Sequence, residues 1–253
     1  MTKTLPNFNV TTRHAFDLPD GRTIEFRPFT HAEEKAAQRS NQLNGNRDQL
    51  LTMIKIAKDC TFGEVDIEEL TTSEYQILMV NIRSQAVGET TDISIPCSNK
   101  NCSSRRDVTA NLTDYKFQEK AYEGDHLDIP IPSQPYVIRL VEPKMSSVLK
   151  FSASNDDLTK ALGPSVVSMF NPNDEDDAYD LSDFKVKDLE NFFGGFTNQQ
   201  YMALLSVAEK FSKAYYDLTE FYEQDSTVCD ECSQNGREGE FPKEARDLSD
   251  FLE

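Results

Sequence analysis

Four cysteines carry the clearest chemical signal in this chain. Cys97 and Cys102 sit in "SIPCSNKNCSSRRDV", and Cys229 and Cys232 sit far downstream in "VCDECSQNG". The spacings are C-x4-C and C-x2-C, and each suits a tight turn that presents two thiolates to one cation. Two such turns complete a tetrahedral four-sulfur zinc site. Three readings fit the spacing: a shared structural zinc, two unoccupied surface turns, or disulfide chemistry. Disulfides rarely persist in a reducing compartment, so zinc is the expectation. Such a site would be structural, because four protein ligands leave no open position for water or substrate. A glycine often follows the second cysteine of a knuckle, and here Ser103 and Ser233 stand there.

Other chemistry is thinly represented. The three histidines, His14, His31 and His126, form no H-E-x-x-H pair. There is no G-x-S-x-G, phosphate-binding loop or dinucleotide fingerprint. Cys60 ends the amphipathic run "LLTMIKIAKDC" and reads as a buried thiol rather than a nucleophile. Asn171, Asn173, Glu175 and Asp177 alternate like a calcium loop. Asp176 stands where that loop needs glycine, so "NPNDEDDAYDLSDF" is expected to be a solvated acidic loop.

Composition narrows the partners. With 26 Lys plus Arg against 44 Asp plus Glu, the formal net charge is −18. That surface repels phosphate backbones and anionic lipid, so neither nucleic acid nor membrane is an expected partner. No run approaches the ~18 apolar residues of a membrane span. "MTKTLPNFNV" has no apolar signal core, so a cytoplasmic protein is expected.

The elements that must position the cysteines follow from pattern. "HAFDLPDGRTIEFRPF" reads as a β-hairpin turning at "PDG". Thr30 and Glu33 form a capping box for a first helix, and "RDQLLTMIKIAKD" makes a second. "TTSEYQILMVNIRSQAVGE" is a third helix, capped by Thr71 or Thr72 and ended at Gly88. "TTDISIP" and "RDVTANL" are strands flanking the first cysteine turn. "LDIPIPSQPYVIRLVEP" gives one or two strands, and Pro143 is placed to open a helix through "KMSSVLKFSAS". "VKDLENFFGG" is a helix, and Thr197 with Gln200 caps another. That last helix carries a stripe through Tyr201, Phe211, Tyr215 and Tyr222, about seven turns if unbroken. The stripe reads chiefly as core, with those four aromatics as candidate partner-binding residues. The second cysteine pair reads as a glycine-containing hairpin.

The expected fold is therefore α+β, with short antiparallel hairpins and two helical groups joined by a two-knuckle four-cysteine zinc site. Residues 1–113 and 114–253 are the expected parts, acting as one cooperative unit.

The order of "LPDGRTIEFRPFTHAEEK", "IKIAKDC", "IEELTTSEYQILMVNIRSQAVGETTDISIPCSNKNC" and "VCDECSQNG" resembles the T-even-type bacteriophage baseplate family. The resemblance covers most of the chain. It is most specific over residues 64–102 and is only an outline over 115–185. It implies two cysteine turns, at Cys97, Cys102, Cys229 and Cys232, and no enzyme. It implies a hub assembly protein of a contractile-tailed phage, working by protein–protein contact with hub and tail proteins as an assembly chaperone. Its setting would be the host cytoplasm during assembly, or the virion baseplate. A subunit retained in the hub and a zinc-ribbon adaptor are the alternatives.

Overall fold

A computed structural model describes residues 12–18, 20–41, 46–111, 116–117, 125–181, 184–216, 218–219, 228–236 and 238–241. Strands β1 (His14–Asp17) and β2 (Thr23–Phe26) form the opening hairpin, with Phe16 opposite Ile24. Gly21 supplies the positive φ of +87° that this turn needs. Helix α1 (His31–Asn41) starts on the expected capping box. The Glu33 carboxylate accepts from the Thr30 N–H at 2.7 Å, and Thr30 Oγ1 accepts from the Glu33 N–H at 3.3 Å. Helix α2 (Asn46–Cys60) buries Ile54, Ile56, Ala57 and Cys60. A 3-10 turn at Ile67–Glu69 leads into α3 (Thr72–Val87), where Thr71 and Glu74 cap each other reciprocally. Gly88, at φ +113°, ends it.

Strands β3 (Thr90–Pro96) and β4 (Arg105–Asn111) pair antiparallel along their full length. A two-residue strand β5 (Lys116–Phe117) follows. Strands β6 (His126–Pro130) and β7 (Val137–Val141) are the two strands of the proline-rich segment. Helix α4 (Met145–Phe151) begins two residues later than expected. Lys144 is its N-cap, and Pro143 instead offers its carbonyl to the Thr72 N–H at 3.0 Å. Helix α5 (Asp157–Leu162) is capped by the Asp156 carboxylate, and β8 (Val166–Asn171) follows.

The acidic segment is a strand, not a loop. β9 (Asp174–Asp180) pairs with β8 and closes one edge of an antiparallel sheet ordered β6-β7-β8-β9. Its charges suit an edge strand, where they discourage pairing with another chain. The calcium-like alternation is absorbed by the hairpin, with Asn171 Oδ1 accepting from the Asn173 N–H at 3.0 Å.

Helix α6 (Val186–Gly194) buries Leu189 and Phe193. Helix α7 (Asn198–Tyr216) begins on the expected Thr197–Gln200 box, with Thr197 N–H donating to Gln200 Oε1 at 2.9 Å. It is shorter than the aromatic stripe suggested. It stops at Tyr216, and β10 (Leu218–Thr219) then pairs with β5. The second cysteine turn carries a short helix, α8 (Asp230–Gln234), inside a loop closed by a bridge between Val228 and Glu240. Among the described residues there are thus eight α-helices and only antiparallel sheets, an α+β fold. Among the described residues no helix is long and apolar enough to cross a membrane.

Two apolar cores result. The first gathers Ile24, Phe26, Ala57, Ile67, Leu78 and Ile82, and also takes in Met145, Cys97, Cys229, Cys232 and Phe241. The second gathers Ile138, Leu140, Leu158, Leu162, Phe193 and Leu204 around the four-stranded sheet. They meet at the start of α3. There Met145 N–H donates to the Leu70 carbonyl at 2.9 Å, Ser73 N–H donates to Glu142 at 3.1 Å, and Lys144 pairs with Glu69 at 2.7 Å.

Candidate metal centre

The β3–β4 hairpin ends in an eight-residue turn, residues 97–104, that carries its two cysteines. Cys97 N–H donates to the Ser104 carbonyl at 3.0 Å, and Cys102 N–H to the Asn99 carbonyl at 2.9 Å. Asn99 Oδ1 accepts from the Asn101 N–H at 3.0 Å, an Asx-type turn. The downstream pair is placed by α8, where Ser233 N–H returns to the Cys229 carbonyl at 3.0 Å. Gly236, at φ +66°, reverses the chain after that helix.

The two turns are stitched together by their backbones. Ser98 N–H donates to the Glu240 carbonyl at 2.9 Å, and Glu240 N–H donates to Ser98 Oγ at 3.0 Å. Asn99 Nδ2 reaches the Glu238 carbonyl at 2.9 Å. Arg106 Nη2 donates to the Val228 carbonyl at 3.0 Å, and its guanidinium lies 4.4 Å from the Phe241 ring centroid.

These contacts bring the four sulfurs together. Cys97 and Cys232 Sγ lie 3.8 Å apart, as do Cys102 and Cys229 Sγ, and all four fall within 4.8 Å of one another. A tetrahedron with Zn–S bonds of about 2.3 Å has sulfur–sulfur edges of about 3.8 Å. The approaching sulfurs come from opposite turns, and all four cysteines are free thiols rather than bonded pairs. Among the described residues this is the group of three or more candidate ligands that could hold a metal. Cys97, Cys229 and Cys232 are buried, and Cys102 is half-buried.

The electrostatics suit a cation. The Cys232 backbone N–H, then the thiols of Cys97 and Cys102, bring the Cys229 thiol down to about 7. Desolvation, then the three neighbouring sulfurs, pushes Cys232 up to about 12. One thiolate is readily formed and further ones oppose it, so a fully deprotonated set needs a divalent charge at its centre. The Asn99 N–H already points at Cys97 Sγ, 3.5 Å away.

The glycine that matters follows neither knuckle directly. Gly239 lies against the cluster, where a Cβ would stand 2.5 Å from Cys232 Sγ and 2.8 Å from Cys97 Sγ. The spacing "GREGEF" beyond the second pair was its only signal.

A family model described as T4 bacteriophage base plate protein matches residues 11–250. The chain belongs to that base plate family. No curated protein and no solved structure matches it. In this member of the family the four cysteines, brought together from turns 127 positions apart, form the chemically distinctive feature. The candidate partner-binding aromatics fare differently. Tyr201 is half-buried against the second core, where its hydroxyl accepts from the Leu158 N–H at 3.1 Å and donates to Asp156 at 3.1 Å. Phe211 and Tyr215 lie on α7, but their side chains, like all of Tyr222, lie outside the described residues. Cys60 is fully buried, and desolvation, the first cause, pushes its thiol up to about 12, opposite to what a nucleophile needs.

Proposed function

We propose that this base plate protein is a hub assembly protein of a contractile-tailed phage. It works by protein–protein contact with hub and tail proteins, in the host cytoplasm, and performs no catalytic step. The match of the family model over residues 11–250 carries the reading. In this reading Cys97, Cys102, Cys229 and Cys232 hold one structural zinc, supported by the 3.8 Å sulfur separations. The metal ties the C-terminal turn to the mid-chain hairpin, and residues 1–113 and 114–253 act as one cooperative unit. Phe211, Tyr215 and Tyr222 remain the proposed partner-facing aromatics, while Tyr201 packs on the second core.

The test is capture of the tagged protein from phage-producing cells, with the eluate identified by mass spectrometry. Hub or spike proteins in the eluate would support the reading and name the partner. Recovery alone, or with host transcription proteins, would sink it. Stoichiometric presence in purified particles would replace the assembly role with that of a retained hub subunit.

A further inference from the structure

Helix α3 carries an arginine that none of the foregoing uses. Arg83 is half-buried, its Nε is sealed from solvent, and that nitrogen has no hydrogen-bond partner. Among the described residues it forms no ion pair. A sealed N–H donor without an acceptor is costly, and globular proteins seldom leave one unmet. Three more unmet polar atoms, Thr72 Oγ1, Tyr75 OH and Gln76 Oε1, lie along α3, and Thr72, Gln76 and Arg83 recur at the four- and seven-residue steps of a single helix face.

Arg83 lines a cavity of about 50 Å³ among α1, α2 and α3. Phe29, Met53 and Met79 give it apolar walls, and Glu33 and Glu34 also line it. Neither glutamate neutralises the arginine. Glu33 is committed to Arg27 at 2.7 Å and to the Thr30 N–H at 2.7 Å. Glu34 rests 3.2 Å from His31 Nδ1 and acts on Arg83 only through space. At roughly 10–15 Å³ per water position, the cavity holds about three to five waters, or one small polar group with a short apolar stem.

We propose that this cavity is an anchor site for an aspartate or glutamate side chain of a partner polypeptide. The carboxylate pairs with Arg83, and the methylene stem lies between Phe29, Met53 and Met79. The chemistry follows from charge complementarity. A guanidinium offers only donors, and a carboxylate is its strongest acceptor. The chain is strongly acidic overall, but at physiological salt distant charges are screened within about 8 Å, so the groups lining the cavity govern contact: Arg83, Glu33 held by Arg27, and Glu34 beside His31. That the occupant belongs to a protein rests on the hub assembly reading. The pocket itself is tested without it.

The experiment follows the Arg Nε–H resonances of the purified full chain by ¹⁵N–¹H NMR. The probes are N-acetyl-glutamate N-methylamide, its glutamine counterpart and succinate. The glutamate probe should shift the Arg83 resonance saturably and bind at least tenfold more tightly than the glutamine probe. Glu34→Gln should tighten the glutamate probe several-fold by removing a like charge. Arg83→Met should abolish binding while leaving the melting temperature unchanged or higher. The proposal is overturned by no saturable shift, by equal binding of the glutamine probe, or by looser binding in Glu34→Gln. A melting temperature several degrees lower in Arg83→Met would also overturn it, since Arg83 would then be structural. Succinate binding tenfold more tightly than the glutamate probe would move the site to a free small dicarboxylate and overturn the partner. Hub proteins captured by the chain despite a silent pocket would leave the hub reading intact, and the converse would leave the pocket intact.

Discussion

Gly239→Ala isolates the close approach at the metal centre from every other property of that turn. Gly239 is not among the positive-φ glycines, so alanine brings no backbone strain there. What it brings is a methyl group 2.5 Å from Cys232 Sγ, 2.8 Å from Cys97 Sγ and 2.9 Å from Cys232 Cβ. Carbon needs about 3.5–4.0 Å from such neighbours, so two sulfurs or the Gly239 backbone must move by about an ångström. The backbone is pinned by the Cys229 N–H, which donates to the Gly239 carbonyl at 2.9 Å. The sulfurs must therefore give, and those sulfurs set the tetrahedron. Overpacking of this kind costs about 1–3 kcal/mol. At about 1.4 kcal/mol per decade, zinc affinity should fall roughly 5- to 150-fold. Competition against a chromophoric chelator at fixed pH reads this directly. Gly194→Ala is the matched control: its Cβ meets nothing within 4 Å, at the last residue of α6, and should stabilise by about 0.5–1 kcal/mol. A Gly239→Ala protein that holds zinc within twofold of the parent would refute the argument that the cluster depends on a missing side chain.

Three further outcomes follow from particular contacts. Elemental analysis should find one zinc per chain. Cys229→Ser should lose it and melt at lower temperature, and a chain purified without chelator that holds no metal would end the zinc reading. Glu33→Gln should destabilise by about 1.5–3 kcal/mol at neutral pH, because it removes charged hydrogen bonds to Arg27 and Thr30. Burial acts to raise the Glu33 pKa, but Arg27 and Thr30 outweigh it and hold it below the ordinary value of 4.5. Its stabilisation is therefore full above 4.5 and lost as pH falls through the depressed folded value, so denaturant melts of the two proteins should converge in acid. Tyr201→Phe should cost about 1 kcal/mol in the same melts, since it strips the hydroxyl from Asp156 and the Leu158 N–H.

The sequence was most legible where a local rule and the tertiary structure agree. Thr30 with Glu33 and Thr197 with Gln200 signal helix starts through side chains that satisfy nearby backbone groups, and both do so in the fold; of Thr71 and Thr72, the fold uses Thr71, with Glu74 completing the box. The four cysteines were legible because thiol spacing is a ligand rule in itself, and their meeting in space followed. The failures share one cause, which is tertiary pairing that local pattern does not encode. "DEDDAYD" looks solvated until β8 offers it a partner. The aromatic stripe of α7 runs on in sequence, but the chain leaves the helix to pair β10 with β5. Pro143 was expected inside a helix, but its carbonyl is taken by α3. Arg83 was invisible because an unpaired cation can be recognised only once its surroundings are known.

The position of the sulfur cluster follows from how the chain is routed. Between Cys102 and Cys229 the polypeptide builds the second core, then returns to place Cys229, Cys232 and Phe241 in the first. Closing a loop costs entropy that grows only with the logarithm of its length. Going from about 15 residues to the 127 seen here adds about 2 kcal/mol. The apolar surface that the returning segment contributes is small, a short helix and one phenylalanine among the described residues. Packing alone gives that segment a weak hold on the β3–β4 hairpin. A structural zinc contributes on the order of 10–16 kcal/mol of apparent binding energy, several times the added closure cost. A segment with little core of its own, returning over a long separation to a hairpin tip, is where a metal tie has the largest effect. Removing zinc should therefore release residues 228–241 first. Hydrogen exchange at the Ser98 and Cys229 amides, which donate to Glu240 and Gly239, should accelerate on chelation while the Leu158 amide in the second core stays protected. Equal acceleration at all three would mean that the metal holds the whole chain together rather than this one return.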